Sequence, residues 1–211
     1  MKHIVKTAEP QEFSAWKSMA NSDWQPTYAE LRGEIKKAVK DALMSEQGYI
    51  CCYCERRLTD EDSHIEHFKP QSDSSVNPLD FANMLCSCQS QLKKGDPRHC
   101  GNLKDNWFDD RLNISPLDSG CEGRFSFTAD GKIDPADKTD QAAKETIKRL
   151  GLDIPKVNAL RKQVIEPFLD DSLNDSDLKE FVKGYLKKYS NGMFGEFWTT
   201  INYLFGSYAT I

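Results

Sequence analysis

The stretch Cys51-Cys52-Tyr53-Cys54, followed after a charged turn by Ser63-His64-Ile65-Glu66-His67-Phe68-Lys69-Pro70, decides how the middle of this chain folds. Cys51 and Cys54 form a C-x2-C pair, a tight turn that lets two thiolates bite one ion. Six of the seven cysteines (Cys51, Cys52, Cys54, Cys86, Cys88 and Cys100) fall in this one central segment. The second half of a thiolate site is then either the single thiols Cys88 and Cys100 or the C-x-C of Cys86 and Cys88. Four thiolates in tetrahedral array are natural ligands of structural Zn2+, and Cys51, Cys54, Cys88 and Cys100 are the expected quartet. The competing reading is that some of them are buried free thiols packing as small hydrophobes. Cys52 and Cys86 are read in that way, and Cys121 has no assigned role.

Within Ser63 to Phe68, strand alternation puts His64 and Glu66 on one face, with His67 at the end. A carboxylate next to an imidazole can do two jobs: Glu66 as a hard oxygen ligand for a divalent ion, His67 as a base that takes a proton from water. His64 either adds to that metal site or bonds a backbone carbonyl, and the structural role is the one expected. Asn83, sixteen residues beyond His67, offers an amide that can fix the tautomer and orientation of the imidazole. Each element alone is commonplace, since a Glu-His dipeptide on a strand is more often solvated and an Asn at a strand end is more often a turn residue.

Around this centre the hydrophobic pattern is helical. Phe13, Trp16 and Met19 predict a short amphipathic helix within 10–22. Leu31, Ile35, Ala38, Val39, Ala42 and Leu43 predict a longer one over 28–45, ended by Gly48. Short strands are expected near 63–68 and 81–86, and a hairpin from Arg124-Phe125-Ser126-Phe127, the turn residues Asp130-Gly131, and Ile133. Helices return over 140–150, 154–169 and 176–189, with an aromatic, helical end over 193–208. In that end Phe194, Phe197, Trp198, Tyr203, Phe205 and Tyr208 suit a core or a partner interface better than a base-stacking platform. The central segment is too poor in apolar periodicity to hold itself together, so a metal is the physical expectation.

The joint order C-x2-C, Glu-His-x-x-Pro, Asn-x-x-x-x-Cys and His-Cys-Gly-Asn-x-Lys resembles the zinc-braced HNH (ββα-metal) endonucleases. The wider wording, with Tyr53-Cys54-Glu55-Arg56, Ile114-Ser115-Pro116-Leu117-Asp118, Phe125, Phe127 and Gly131-Lys132-Ile133, is similar to the PtuB-like members found in Septu and retron-associated anti-phage systems. The resemblance covers about 48–135. It implies an α+β fold in which a zinc-braced ββα-metal core (48–135) is flanked by helical segments (1–47 and 136–211). It implies that Glu66 holds a catalytic Mg2+ or Mn2+ against the scissile phosphate and the leaving 3′ oxygen, that His67 is the general base, and that Asn83 orients it. The position where the family carries its last metal ligand is here Gly101, which cannot bind; Asn102 is the first substitute and His99 the second. Lys104, Arg56 and Arg57 could touch phosphate, but exposed cations are more often only solvated. The implied partners are nucleic acid (DNA first, RNA second), a PtuA-like ABC/SMC-type ATPase, and a retron reverse transcriptase with its nucleic acid.

Composition bounds these expectations. The chain has 211 residues, 38% apolar and 29% charged, an ordinary globular balance. The net charge of -5 is the wrong sign for holding nucleic acid by bulk electrostatics, so a partner is expected to supply part of the grip. The odd number of cysteines argues against a disulfide framework. The start, Met1-Lys2-His3-Ile4, has no apolar signal core, and a cytoplasmic protein without membrane contact is expected. The rival to an enzyme is a non-catalytic zinc-binding interaction module, which would keep every cysteine and make Glu66 and His67 incidental.

Overall fold

A computed structural model describes residues 1–210, the side chain of Thr210 excepted. Near the N-terminus, helix α1 (Gln11–Lys17) buries Phe13 and stacks it on Trp16 at 6.0 Å. It is shorter than expected because Asn21 accepts from the backbone N–H groups of Asp23 and Trp24, a local turn that competes with further helix.

The expected helix over 28–45 is broken at its start. The Glu30 carboxylate accepts from both the backbone N–H and the hydroxyl of Thr27, closing a 3-10 turn over Tyr28–Glu30. The chain then bends at Gly33, whose φ of +60° suits glycine. Helix α2 (Gly33–Glu46) follows, burying Val39, Leu43 and Met44. The break has a consequence for the site: Tyr28 leaves the helical stripe and its ring meets the edge of His67.

Strands β1 (Ser63–His67) and β2 (Met84–Cys88) form an antiparallel pair in which Ser63 faces Cys88, Glu66 faces Leu85 and His67 faces Met84. β2 starts later than expected, since Asp80 accepts from the backbone N–H of Ala82 and folds Phe81–Asn83 into a 3-10 turn. One helical turn, α3 (Gly101–Lys104), comes next. The hairpin expected after Arg124 is present as β3 (Phe125–Phe127) and β4 (Ile133–Pro135).

Helix α4 (Gln141–Leu150) is capped by Asp140, which accepts from the Ala143 N–H and ion-pairs with Arg124, and it ends on Gly151 in the left-handed conformation. The backbone N–H of Cys100 donates to Leu150 O at 2.7 Å, which ties α3 to the end of α4. α5 (Pro155–Ile165) runs into a 3-10 turn at Glu166–Leu169, and α6 (Asp175–Leu186) and α7 (Trp198–Thr210) complete the chain. The helical stretch expected over 193–208 begins only at Trp198; before it, Phe194 lies against Gly48, where a Cβ would come within 2.2 Å of the ring.

One core draws on all three parts of the chain: Phe13, Val39 and Leu43, then Leu85 and Ile114, then Leu150, Val157 and Phe197. A smaller core joins Ile165, Phe168, Val182, Ile201 and Phe205. Phe197 and Phe205 are thus core residues, whereas Tyr203 stays half exposed. Among the described residues no helix is long and apolar enough to cross a membrane.

Candidate active site and thiolate cage

The turn carrying Cys51 and Cys54 is closed by backbone bonds from Cys51 N to Arg56 O and from Glu55 N to Cys51 O. Cys88 ends β2 and Cys100 immediately precedes α3, so the cage joins the two ends of the central segment. All four sulfurs lie within 4.8 Å of one another, and Cys54 Sγ is 3.8 Å from Cys88 Sγ. Zn–S bonds of about 2.3 Å in a tetrahedron require sulfurs about 3.8 Å apart, so these residues fit a zinc ion. Glu55 and Gln89, each directly after a cage cysteine, and Cys100 itself have φ between 54° and 69°. Non-glycine residues adopt such values at a cost of about 1–3 kcal/mol each, which a metal joining three strained turns can offset. Burial disfavours the Cys51 thiolate, but hydrogen bonds from Cys100 and its other neighbours outweigh that and lower its pKa, while burial pushes Cys100 up. Cys52, Cys86 and Cys121 are buried free thiols outside the cage.

His67 is held from both ring nitrogens. Nε2 is 2.9 Å from the carbonyl oxygen of Pro78. A carbonyl can only accept, so Nε2 carries the proton and Nδ1 is the basic nitrogen. The amide of Gln71 sits 3.2 Å from Nδ1. Burial depresses the imidazole pKa and Lys104 acts in the same direction, against the Pro78 bond and the Glu66 charge, so the neutral ring is favoured. The Tyr28 ring stands edge-on at 4.7 Å, and its own phenol is pushed up to about 12 by burial and then by Glu66.

The expected bond between Asn83 and this ring is not what the structure contains. Asn83 Oδ1 accepts from Lys69 N and its Nδ2 donates to Lys69 O, both at 2.9 Å. Its backbone carbonyl also accepts from Phe68 N. An asparagine opposite a strand end can satisfy two backbone groups at once, and here it clamps the chain as it leaves His67. The ring is oriented by Pro78 and Gln71 instead.

Glu66 is divided between two tasks. Its Oε1 accepts from the Tyr53 hydroxyl at 3.0 Å and pairs with the Lys104 ammonium at 2.9 Å. Lys104 is fully buried and also donates to the backbone carbonyl of His67. A solvated or phosphate-touching Lys104 is therefore ruled out by its position. Oε2 of Glu66 points toward Gly101: a Cβ built there would lie 2.5 Å from Oε2 and 2.9 Å from His64 Nε2.

The two candidates for the last ligand make contacts of their own. Asn102 Nδ2 donates to Gln89 O at 2.7 Å. His99 is fully buried with Nδ1 3.1 Å from Cys100 Sγ and 3.8 Å from Cys88 Sγ, so its ring belongs to the surroundings of the thiolate cage. Arg56 pairs with Asp62, and Arg57 donates to the carbonyls of Tyr49 and Phe194. The structure thus brings Glu66, His67 and His64 together, adds Tyr28, Tyr53, Lys104, Pro78 and Gln71 around them, and sets Asn83 one step away. Beside His64 a cavity of about 450 Å³ is lined also by Tyr28, Lys36, Lys37, Lys40 and Ser63.

No family model matches the chain. It is similar to a protein of Vibrio cholerae serotype O1 biovar El Tor named "Retron Vc95 putative HNH endonuclease", with 33% identity over 139 residues. That match covers 63% of this chain and 65% of the Vibrio protein, so the chain spans less than two thirds of that relative. It is also similar to an Escherichia coli protein named "Retron Ec83 putative HNH endonuclease", at 27% identity over 80% of each chain.

Proposed function

We propose that this chain is a metal-dependent HNH endonuclease that hydrolyses phosphodiester bonds in nucleic acid, with DNA as the first substrate to test and RNA as the second. The observation that carries the reading is the Pro78 carbonyl on His67 Nε2, which leaves Nδ1 basic, next to a carboxylate whose Oε1 is paired and whose Oε2 has no hydrogen-bond partner among the described residues. The two similar proteins named as retron HNH endonucleases support the same class.

Glu66 Oε2 would hold a divalent cation, Mg2+ or Mn2+, and the Gly101 notch leaves room for it. Such a cation, when bound, neutralises charge building on the scissile phosphate and the leaving 3′ oxygen. His67 Nδ1 takes the proton of the attacking water once Gln71, an exposed side chain, moves aside. Tyr28 shields one side of the ring, and Asn83 keeps Phe68 to Lys69 from drifting away from the site. Lys36, Lys37 and Lys40 stand beside His64 with Asp60; Lys37 pairs with Asp41 and Lys40 with Asp60, and a strand's phosphates entering there would compete with those carboxylates for the lysines.

In the cell this nuclease would act as the effector of an anti-phage complex with a PtuA-like ATPase, or beside a retron reverse transcriptase and its nucleic acid. Support for that role is the acidic net charge, which favours delivery by a partner, and the retron names of both similar proteins. The test is incubation of the zinc-loaded protein, alone and with the ATPase, with end-labelled single- and double-stranded DNA and RNA in Mg2+ or Mn2+. New 5′-phosphate ends that vanish with chelator are expected, and no cleavage of any substrate under either condition rejects the nuclease.

A further inference from the structure

We propose that His64 is the second protein ligand of the catalytic divalent ion, acting with Glu66 across the notch left by Gly101. The proposal rests on the nuclease reading for the ion's purpose, but the binding itself is testable without it. Strand alternation places His64 and Glu66 on one face of β1. Their outer atoms meet: the position a Gly101 Cβ would occupy is 2.5 Å from Glu66 Oε2 and 2.9 Å from His64 Nε2.

Further observations agree with a ligand pair. Glu66 Oε1 is committed to Tyr53 and Lys104, so the carboxylate is braced to present Oε2. His64 is partly exposed and lines the open cavity, and its ring has no hydrogen-bond partner among the described residues, unlike His67. Position 101 has to be glycine for the notch to exist, although its backbone does not need positive φ. His99 Nδ1 is turned to the cage, and Asn102 Nδ2 is held by Gln89 O. Lys104 neutralises much of the carboxylate's charge, and one imidazole nitrogen adds no charge, so the pair suits Mn2+ better than Mg2+.

The experiment is a Mn2+ titration of the zinc-loaded protein followed by electron paramagnetic resonance, with pulsed detection of nitrogen coupling to the bound ion. Wild type is expected to bind Mn2+ with the coupling of one directly bound imidazole. His64→Ala should lose that coupling and at least about tenfold in affinity, the loss typical even of outer-shell partners, with zinc content unchanged. Gly101→Ala, which fills the notch from the position after Cys100 and replaces no cage ligand, should abolish Mn2+ binding and keep the zinc. Asn102→Ala should keep the nitrogen coupling. Nitrogen coupling that persists in His64→Ala, its absence from wild type, or wild-type affinity in Gly101→Ala would overturn the assignment. Cleavage without nitrogen coupling rejects this ligand and leaves the nuclease standing; coupling without cleavage does the reverse.

Discussion

Lys104 lies fully buried with its ammonium 2.9 Å from Glu66 Oε1, so a candidate metal ligand is held by a cation that never reaches solvent. Removing one member of a buried pair strands the other charge, at a cost of about 3–5 kcal/mol. Lys104→Met should therefore destabilise the metal-free protein by an amount of that order in urea unfolding. Saturating Mn2+ should recover part of the loss, because a cation at Oε2 replaces the missing charge. An unchanged midpoint, or a deficit indifferent to Mn2+, would contradict the pairing of Glu66 with both.

The thiolate cage should be structural. Cys54→Ser and Cys88→Ser are each expected to lower the zinc content from one ion per chain toward none, with a broad loss of the thermal transition, since the cage joins the Cys51 turn, the end of β2 and the start of α3. Cys121→Ser, outside the cage, should keep the full zinc content. Metal analysis after exhaustive dialysis checks both.

Asn83 is expected to act through the chain and not through the ring. Asn83→Ala removes both bonds to Lys69, and the exit from β1 should loosen. The cleavage rate should fall by about 10–100-fold, as for other outer-shell supports, while Mn2+ affinity changes less. Amide exchange should quicken at Lys69, whose N–H the Asn83 side chain accepts; wild-type exchange there would contradict the clamp.

Lys36 and Lys37 should matter through phosphate. Replacing both by Ala is expected to weaken substrate binding with little change in kcat. The slope of log affinity against log salt should become shallower by about 0.7–0.9 for each phosphate that the variant no longer neutralises. Equal slopes for wild type and variant would remove this face of the cavity from the substrate path.

Much of the site was legible because its signals are local in sequence. The C-x2-C turn, the alternation of His64 and Glu66, and the apolar stripe of α2 all depend on neighbours a few residues apart, and the structure contains the four-sulfur cluster that spacing predicts. What was not legible depends on distant partners. Lys104 is buried with its ammonium on Glu66 and on the His67 carbonyl of β1, partners nearly forty residues away, and nothing in its immediate sequence distinguishes it from a solvated lysine. The turn of Asn83 toward Lys69 depends on strand register, which the late start of β2 shifts. Tyr28 was hidden inside an apparently continuous helical stripe, although Thr27 and Glu30, the pair that closes the turn, were readable as a cap. Among the described residues no backbone carbonyl bonds the His64 ring, so the structural role expected for it lacks that partner, and its Nε2 faces Gly101.

A paired Glu66 and a zinc cage would serve a non-catalytic interaction module equally well, so the decisive group is the imidazole. The most direct measurement is the single-turnover cleavage rate of His67→Ala against wild type, both with one zinc per chain and the same unfolding midpoint. With His67 as the base, the rate should fall by about 100-fold or more. A variant that retains its zinc and cleaves at the wild-type rate would contradict the assignment of His67 and, with it, the mechanism built on Nδ1.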